Sequence, residues 1–308
     1  MTKFIAARAL ALVPLVLGVS ILTFFMLHLV PGDPVRAMLG ETSFASVEDI
    51  ERLRRQLGLD QPVHVQYANY LAAAVQGDLG TSMRTRRPIA SEIGRRLPST
   101  FALALSGLVF AAVFGTALGV VSALYQNTWI DNVATTIALL GASIPSFWLG
   151  LMLIYLFSIQ LGWFPVLGGA GLKGLVLPAA TLGLWAAAGI ARLVRSGMLE
   201  VIRLDFVRTA RAKGVGESVV IRRHVLRNAM IPVVTLLGIR FGEVLAGTVI
   251  IETVFARPGL GLQLVNSIIS KDIPMVQGIV LFIAVVYLLV NFGVEVAYAW
   301  LDPRIQYV

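Results

Sequence analysis

Two charged residues stand where charge is costly. Arg240 and Glu243 fall in the middle of a long apolar run, three residues apart and so on one face of a helix. An ionisable side chain at membrane depth faces a bundle interior or a wet cavity rather than lipid. The pair could line a passage and meet the charged ends of a cargo, or it could close on itself as an ion pair. The residues alone leave both open. Other chemistry has little to build on. With no cysteine there is no disulfide framework, thiolate ligand or cysteine nucleophile. The histidines His28, His64 and His224 lie far apart in the order of segments, which predicts no metal site. There is no H-E-x-x-H pair, and Ser146 and Ser196 have no histidine in their own apolar runs to act as a base, so no intramembrane enzyme is expected. No G-x-x-x-x-G-K-[ST] occurs, and Gly169-Ala170-Gly171-Leu172-Lys173 is too short to serve as one. Glu252 and Glu295 sit near the ends of apolar runs and read as packing or capping charges.

The second constellation is DFVRTARAKGVGESVVIRRHVLRNAMIP, Asp205 to Pro232. It predicts a helix over Met198 to Lys213, a break at Gly214-Val215-Gly216 and a second short helix over about Glu217 to Arg227. Gly214 stands where a C-cap glycine would, after Arg211 and Lys213, whose charges suit a helix C-terminus. The second helix carries Val219, Val220, Ile221, Val225 and Leu226 beside Arg222, Arg223 and Arg227. A basic, amphipathic helix–break–helix between two apolar runs has the character of a docking surface.

The elements that must position these residues follow from composition. The chain has 308 residues, is 57% hydrophobic and 14% charged, and has a mean hydropathy of +0.82. Soluble domains are about 25% charged, and apolar runs past roughly 18 residues mark membrane spans. The fold class is therefore an all-α integral membrane protein. Its net charge of +8 reads as cytoplasmic loop charge rather than a nucleic-acid surface.

Six spans are predicted: about Ala9 to Val30, Phe101 to Leu124, Ala134 to Gln160, Pro178 to Gly197, Ala229 to Val254 and Ile279 to Leu301. The first is too long for the apolar core of a signal peptide and reads as a retained span. Pro145 predicts a kink or a broken helix in the third. Gly115-x-x-x-Gly119 in the second offers a small-residue packing face. Residues 31–100 hold nine Arg against eight Asp plus Glu and form a solvated extracytoplasmic subdomain, with helices expected over Glu48 to Leu57 and Val63 to Val75. A short interfacial or re-entrant helix is expected over Leu262 to Ser270. Arg192 to Arg227 holds nine Arg plus Lys against three Asp plus Glu, which places that loop in the cytoplasm. Counting spans from a cytoplasmic amino terminus gives the same side and puts both termini there. The domain reading is a first span (1–30), an extracytoplasmic subdomain (31–100) and a transmembrane core (101–308) with its loop at about 198–228.

Arg208-Thr209-Ala210-x-x-x-Gly214, nine residues, then His224-Val225-Leu226 resembles the conserved cytoplasmic loop of ABC-importer permeases, with Arg208, His224 and Arg227 departing from the common pattern. RTARAKG with RHVLRNAMIPVVT is similar to the version in the dipeptide/oligopeptide/nickel family. Val30-Pro31-Gly32-Asp33-Pro34, Gly77-Asp78-Leu79-Gly80, Glu252-Thr253-Val254-Phe255 with Pro258-Gly259-Leu260-Gly261, and Asp302-Pro303-Arg304-Ile305 resemble it too. Val75 to Met83 and Arg227 to Gly242 are similar to the glutathione and dipeptide branch.

The resemblance implies a permease subunit in a bacterial inner membrane and a cytoplasmic coupling helix between the fourth and fifth spans. Its coupling residues would be Arg208, Thr209, Ala210, Gly214, Gly216, Glu217, Arg222, Arg223 and His224, while Arg240 and Glu243 stay candidates for lining the path on the ground of their charge alone. It implies a second, homologous permease as heterodimer partner, two ATPase subunits, an extracytoplasmic substrate-binding protein and a peptide cargo. This chain would be no enzyme and bind no cofactor, ATP and Mg being used by the ATPases. Nickel import within the same family, or ion-coupled secondary transport, are the alternatives.

Overall fold

The structure, a computed structural model, describes residues 2–29, 47–56, 59–168 and 171–301. The Val30–Pro34 and Asp302–Ile305 motifs lie outside the described residues, apart from the helix that leads up to each, and so does the His28 side chain. Every element among them is helical. In chain order these are α1 (Thr2–Leu29), α2 (Val47–Gln56), α3 (Val63–Val75), α4 (Ile89–Leu124), α5 (Trp129–Ser143), α6 (Ser146–Leu153), α7 (Lys173–Val201), α8 (Asp205–Ala212), α9 (Arg227–Val254), α10 (Leu260–Ile269) and α11 (Ile273–Leu301). α6 runs on into a π-helical stretch, Ile154–Gln160. Five of the helices are long and apolar enough to cross a membrane, and α5 and α6 reach that length only as a pair.

The chain divides into two compact units, Met1–Pro98 with Leu262–Val308, and Ser99–Gly261. In the first, α1 packs against α3 and α11. The Ser20 and Tyr67 hydroxyls are 2.8 Å apart. Gln277 Nε2 donates to the carbonyls of Thr23 and Phe24 at 2.8 and 3.2 Å, so a buried amide is satisfied by backbone that its own helix leaves accessible. Buried Asp272 accepts from Ser82 Oγ at 2.5 Å and Met83 N at 3.0 Å, pinning the turn before α4 to the start of α11.

In the second unit α7 is central. Two-thirds of its apolar window is buried, against 28% for the windows of α4 and of the helix containing α9. Its residues explain why: Ala179, Ala186, Ala187, Ala188 and Ala191 are all buried and small, so neighbours approach its backbone. α5, α6 and α9 pack against it. The Gly115-x-x-x-Gly119 face of α4 does so too. A β-carbon at Gly115 would lie 2.7 Å from the Ala187 carbonyl oxygen, and one at Gly119 2.6 Å from that of Ala191.

Two boundaries differ from expectation, and the third span takes the second of its two expected forms, a broken helix: α5 and α6 are bent by 111° across Ile144-Pro145. Pro145 cannot donate the helical hydrogen bond its position requires. α4 starts twelve residues before the predicted second span, because the polar turn Ile89–Arg96 continues the helix outward; Pro98 does not stop it. The predicted short helix after the fifth span is present as α10, two residues earlier.

Candidate functional site

The basic loop folds differently from its predicted helix–break–helix. α7 ends at Val201, and Leu204 adopts extended backbone (φ −74°, ψ 148°) before α8 starts at Asp205. The single helix predicted over Met198 to Lys213 is therefore two. The acidic Asp205 suits a helix N-terminus, and its carbonyl accepts from Thr209 Oγ1 at 2.9 Å. The turn also lets Val207 bury completely, with α8 packed on the Val220–Leu226 stretch. α8, not Glu217 to Arg227, is the free-standing short helix. Glu217–Val219 forms one α turn, Val220–Leu226 winds as a π-helix, and the chain runs into α9 without a break. Pro232 removes one backbone donor near the start of α9 and the helix carries on through it.

The end of α8 is closed by three backbone bonds. Lys213 N donates to Thr209 O, Gly214 N to Arg211 O and Val215 N to Ala210 O, at 3.0, 2.9 and 3.2 Å. The last two form the six-to-one and five-to-two pair that a left-handed residue permits, and Gly214 has φ +76°. Gly216 has ordinary angles (φ −60°, ψ 141°), so a second flexible glycine is not needed there. Arg211 then reaches over the turn and forks onto Glu217, Nε to Oε2 at 3.0 Å and Nη2 to Oε1 at 2.6 Å. Arg208 lies 3.7 Å from Asp205, both well exposed. Arg222 and Arg223 are exposed and His224 half-buried, its carbonyl accepting from Asn228. Leu204 and Phe206 expose 46% and 42% of their surface beside α8.

Arg240 and Glu243 do pair, Nη1 to Oε2, within α9. The guanidinium also stands over the Trp185 ring of α7 at 5.0 Å. A cavity of about 350 Å³ opens beside them. Its wall is the broken third span, Ala142 to Ser146, together with Leu182 and Trp185 of α7 and Glu243 and Gly247 of α9. Non-helical backbone at membrane depth is tolerated where it lines a cavity.

Sequence reasoning passed over one cluster and anticipated only the central residue of a second. Asp131 at the start of α5 is buried and receives Arg195 of α7 through both oxygens, Nε at 3.0 Å and Nη2 at 2.8 Å. Ser122 Oγ and the Asn127 amide donate to it as well. Arg195 was visible only as one of nine basic residues, and Asp131 as one polar residue of a short turn. The second cluster is Glu252, fully buried, which accepts from Thr100 Oγ1 at 2.6 Å and from Gly261 N at 2.6 Å, while Leu260 N donates to Thr100 Oγ1 at 2.8 Å. Glu252 thus caps the start of α10, the kind of role its place near a span end suggested.

Residues 115–307 match the family described as binding-protein-dependent transport system inner membrane component, and residues 1–104 match the N-terminal region of such components. The chain is 45% identical over 307 residues to the glutathione transport system permease protein GsiC of Escherichia coli O6:H1 (strain CFT073), and 44% identical to the proteins of that name from Escherichia coli K12 and Salmonella typhi. Each alignment covers all of both chains. Among solved structures, the inward-facing MetNI methionine ABC transporter is similar at 21% identity and a TM-score of 0.56, covering 68% of this chain and 96% of the other. An amino acid ABC transporter crystallised with histidines is similar at 16% identity and a TM-score of 0.51, covering 77% and 98%.

Proposed function

Because the chain belongs to the family of binding-protein-dependent transport system inner membrane components, we propose that it is the permease subunit of an ATP-driven importer of short peptides, glutathione among them. The observation that carries this reading is the 45% identity running over the whole length of a glutathione permease. A multi-pass inner-membrane component of this kind works with an ATPase and a substrate-binding protein. The finer assignment is a heterodimer with a second, homologous permease, two ATPase subunits below it and both termini of this chain on the cytoplasmic side.

In this reading α8 is the part that docks on an ATPase. It is short, its inner face is anchored by Val207, and Leu204, Phe206, Arg208, Arg222 and Arg223 face outward around it. Thr209, Ala210 and Gly214 shape its C-terminal turn, and the Arg211–Glu217 fork ties it to the helix leading into α9. Closure of the ATPases would move α8, α7 and α9 together as a rigid-body switch of access. Arg240 and Glu243 stand beside the cavity that such movement would open and close. ATP and Mg belong to the ATPases.

The test is uptake of labelled dialanine, trialanine and glutathione into cells lacking the gene, complemented with it, with and without its ATPase genes. Uptake requiring both the chain and the ATPases is expected. Uptake restored by the chain alone overturns the ATP-driven reading.

A further inference from the structure

The geometry points to the cavity at the broken third span as a binding site for the ammonium terminus of the transported peptide, with the Glu243 carboxylate as its partner. This rests on the peptide-importer reading above and assigns this chain a selectivity of its own.

Four observations converge. The cavity, at about 350 Å³, falls in the size range of small-molecule sites. Among the described residues, Glu243 is the single charged one on its wall. Arg240 engages one carboxylate oxygen, Oε2, and no hydrogen bond among the described residues reaches the other. Ser143 and Ser146, on either side of the Pro145 break, line the same space, and their hydroxyls likewise have no protein partner among the described residues. The wall therefore offers one anionic oxygen and two hydroxyls, with the Trp185 ring and Leu182 as its apolar side.

The sign of the ligand follows from the placement of Arg240. Its guanidinium engages Glu243 through Nη1 and stands over the Trp185 face, its Nε is buried with no hydrogen-bond partner among the described residues, and Arg240 does not line the cavity. A carboxylate entering the space would meet Glu243 and be repelled. An ammonium would bond the free Glu243 oxygen and hydroxyls, replacing the water it loses with charge-assisted hydrogen bonds. Arg240 holds the carboxylate in one rotamer by the three-residue spacing on α9, so the acceptor is preorganised. The break supplies the space: a continuous third span would carry Ser143 and Ser146 on a helix surface rather than around an opening.

The experiment uses the complete transporter in lipid nanodiscs without the binding protein. Binding of labelled dialanine and glutathione is compared with that of their N-acetyl derivatives, whose amino group carries no charge, by saturation-transfer NMR titration. The free peptides are expected to bind about tenfold or more tightly, the loss expected when a hydrogen bond to a charged group is removed. Glu243→Gln is expected to erase that difference, and Glu243→Asp to restore part of it. Equal binding of free and acetylated peptides by the wild-type protein overturns the proposal without any variant. A preference that survives in Glu243→Gln overturns it as well. Absence of uptake of any peptide by the intact system in cells overturns the transport reading itself, whereas normal uptake with no preference in nanodiscs overturns this inference alone.

Discussion

Arg195 of α7 grips Asp131 of α5 through both carboxylate oxygens, at 3.0 and 2.8 Å, and the same carboxylate takes a hydroxyl from α4 and an amide from the turn between α4 and α5. One side chain thus joins three spans, about two turns before α7 gives way to the loop with α8. A forked guanidinium–carboxylate contact fixes angle as well as distance. Any displacement of the end of α7 is handed to α5, whose other end is the break at Pro145 and the cavity wall.

Asp131→Asn removes the charge but keeps the shape, leaving the Arg195 guanidinium without its partner. Breaking a buried pair on one side costs about 3–5 kcal/mol, less here because Arg195 is 31% exposed. The variant should melt several degrees lower in detergent. Arg195→Lys should also be destabilised, since an ammonium cannot fork. A melting temperature equal to wild type in both variants would show that the fork does not hold α5 to α7.

Much of this arrangement was legible in the residues and part was not. The membrane class, the spans, the packing glycines of α4 and the left-handed Gly214 follow from local signals: length of apolar run, small residues one turn apart, a glycine after a basic last turn. The boundary between α7 and α8 does not. Ile202-Arg203-Leu204 contains no helix breaker, and the break exists because burying Val207 on the Val220–Leu226 stretch outweighs one more turn of α7. The continuity of Glu217 into α9 was hidden for a related reason. The basic residues suggested a separate surface helix, while buried Val220 and Val225 hold the stretch against the bundle. Pairings such as Asp131 with Arg195, sixty-four residues apart, depend on which helix faces join, which no local pattern states.

The α4–α7 contact should be among the least tolerant of substitution. A β-carbon at Gly119 would meet the Ala191 carbonyl oxygen at 2.6 Å and the Val194 side chain at 2.7 Å, backbone on one side and a branched residue on the other. Gly119→Val therefore forces the helices apart, where overpacking costs about 1–3 kcal/mol or more. Gly94→Ala, in the same helix with nothing within 4 Å, serves as the control and should be neutral or slightly favourable. Yield of monodisperse protein and melting temperature separate the two; equal behaviour would contradict the close approach.

The two loop glycines make opposite predictions. Gly214 sits at φ +76°, and its N–H donates to Arg211 O. Gly214→Pro loses both the donor and the left-handed angle, so the turn that aims α8 cannot form. Glycine at Gly216 has φ −60° with open space around it, and Gly216→Ala, at the N-cap of the turn that starts at Glu217, should cost no more than about 1 kcal/mol. If α8 is the coupling element, Gly214→Pro should insert normally and retain the ATPases weakly. Its ATP hydrolysis should no longer drive uptake. Gly216→Ala should transport at close to the wild-type rate. ATP hydrolysis and peptide uptake measured side by side in proteoliposomes read both. Full uptake by Gly214→Pro would remove α8 from the coupling path, and a loss in Gly216→Ala as deep as that in Gly214→Pro would show that backbone geometry at Gly214 is not what matters.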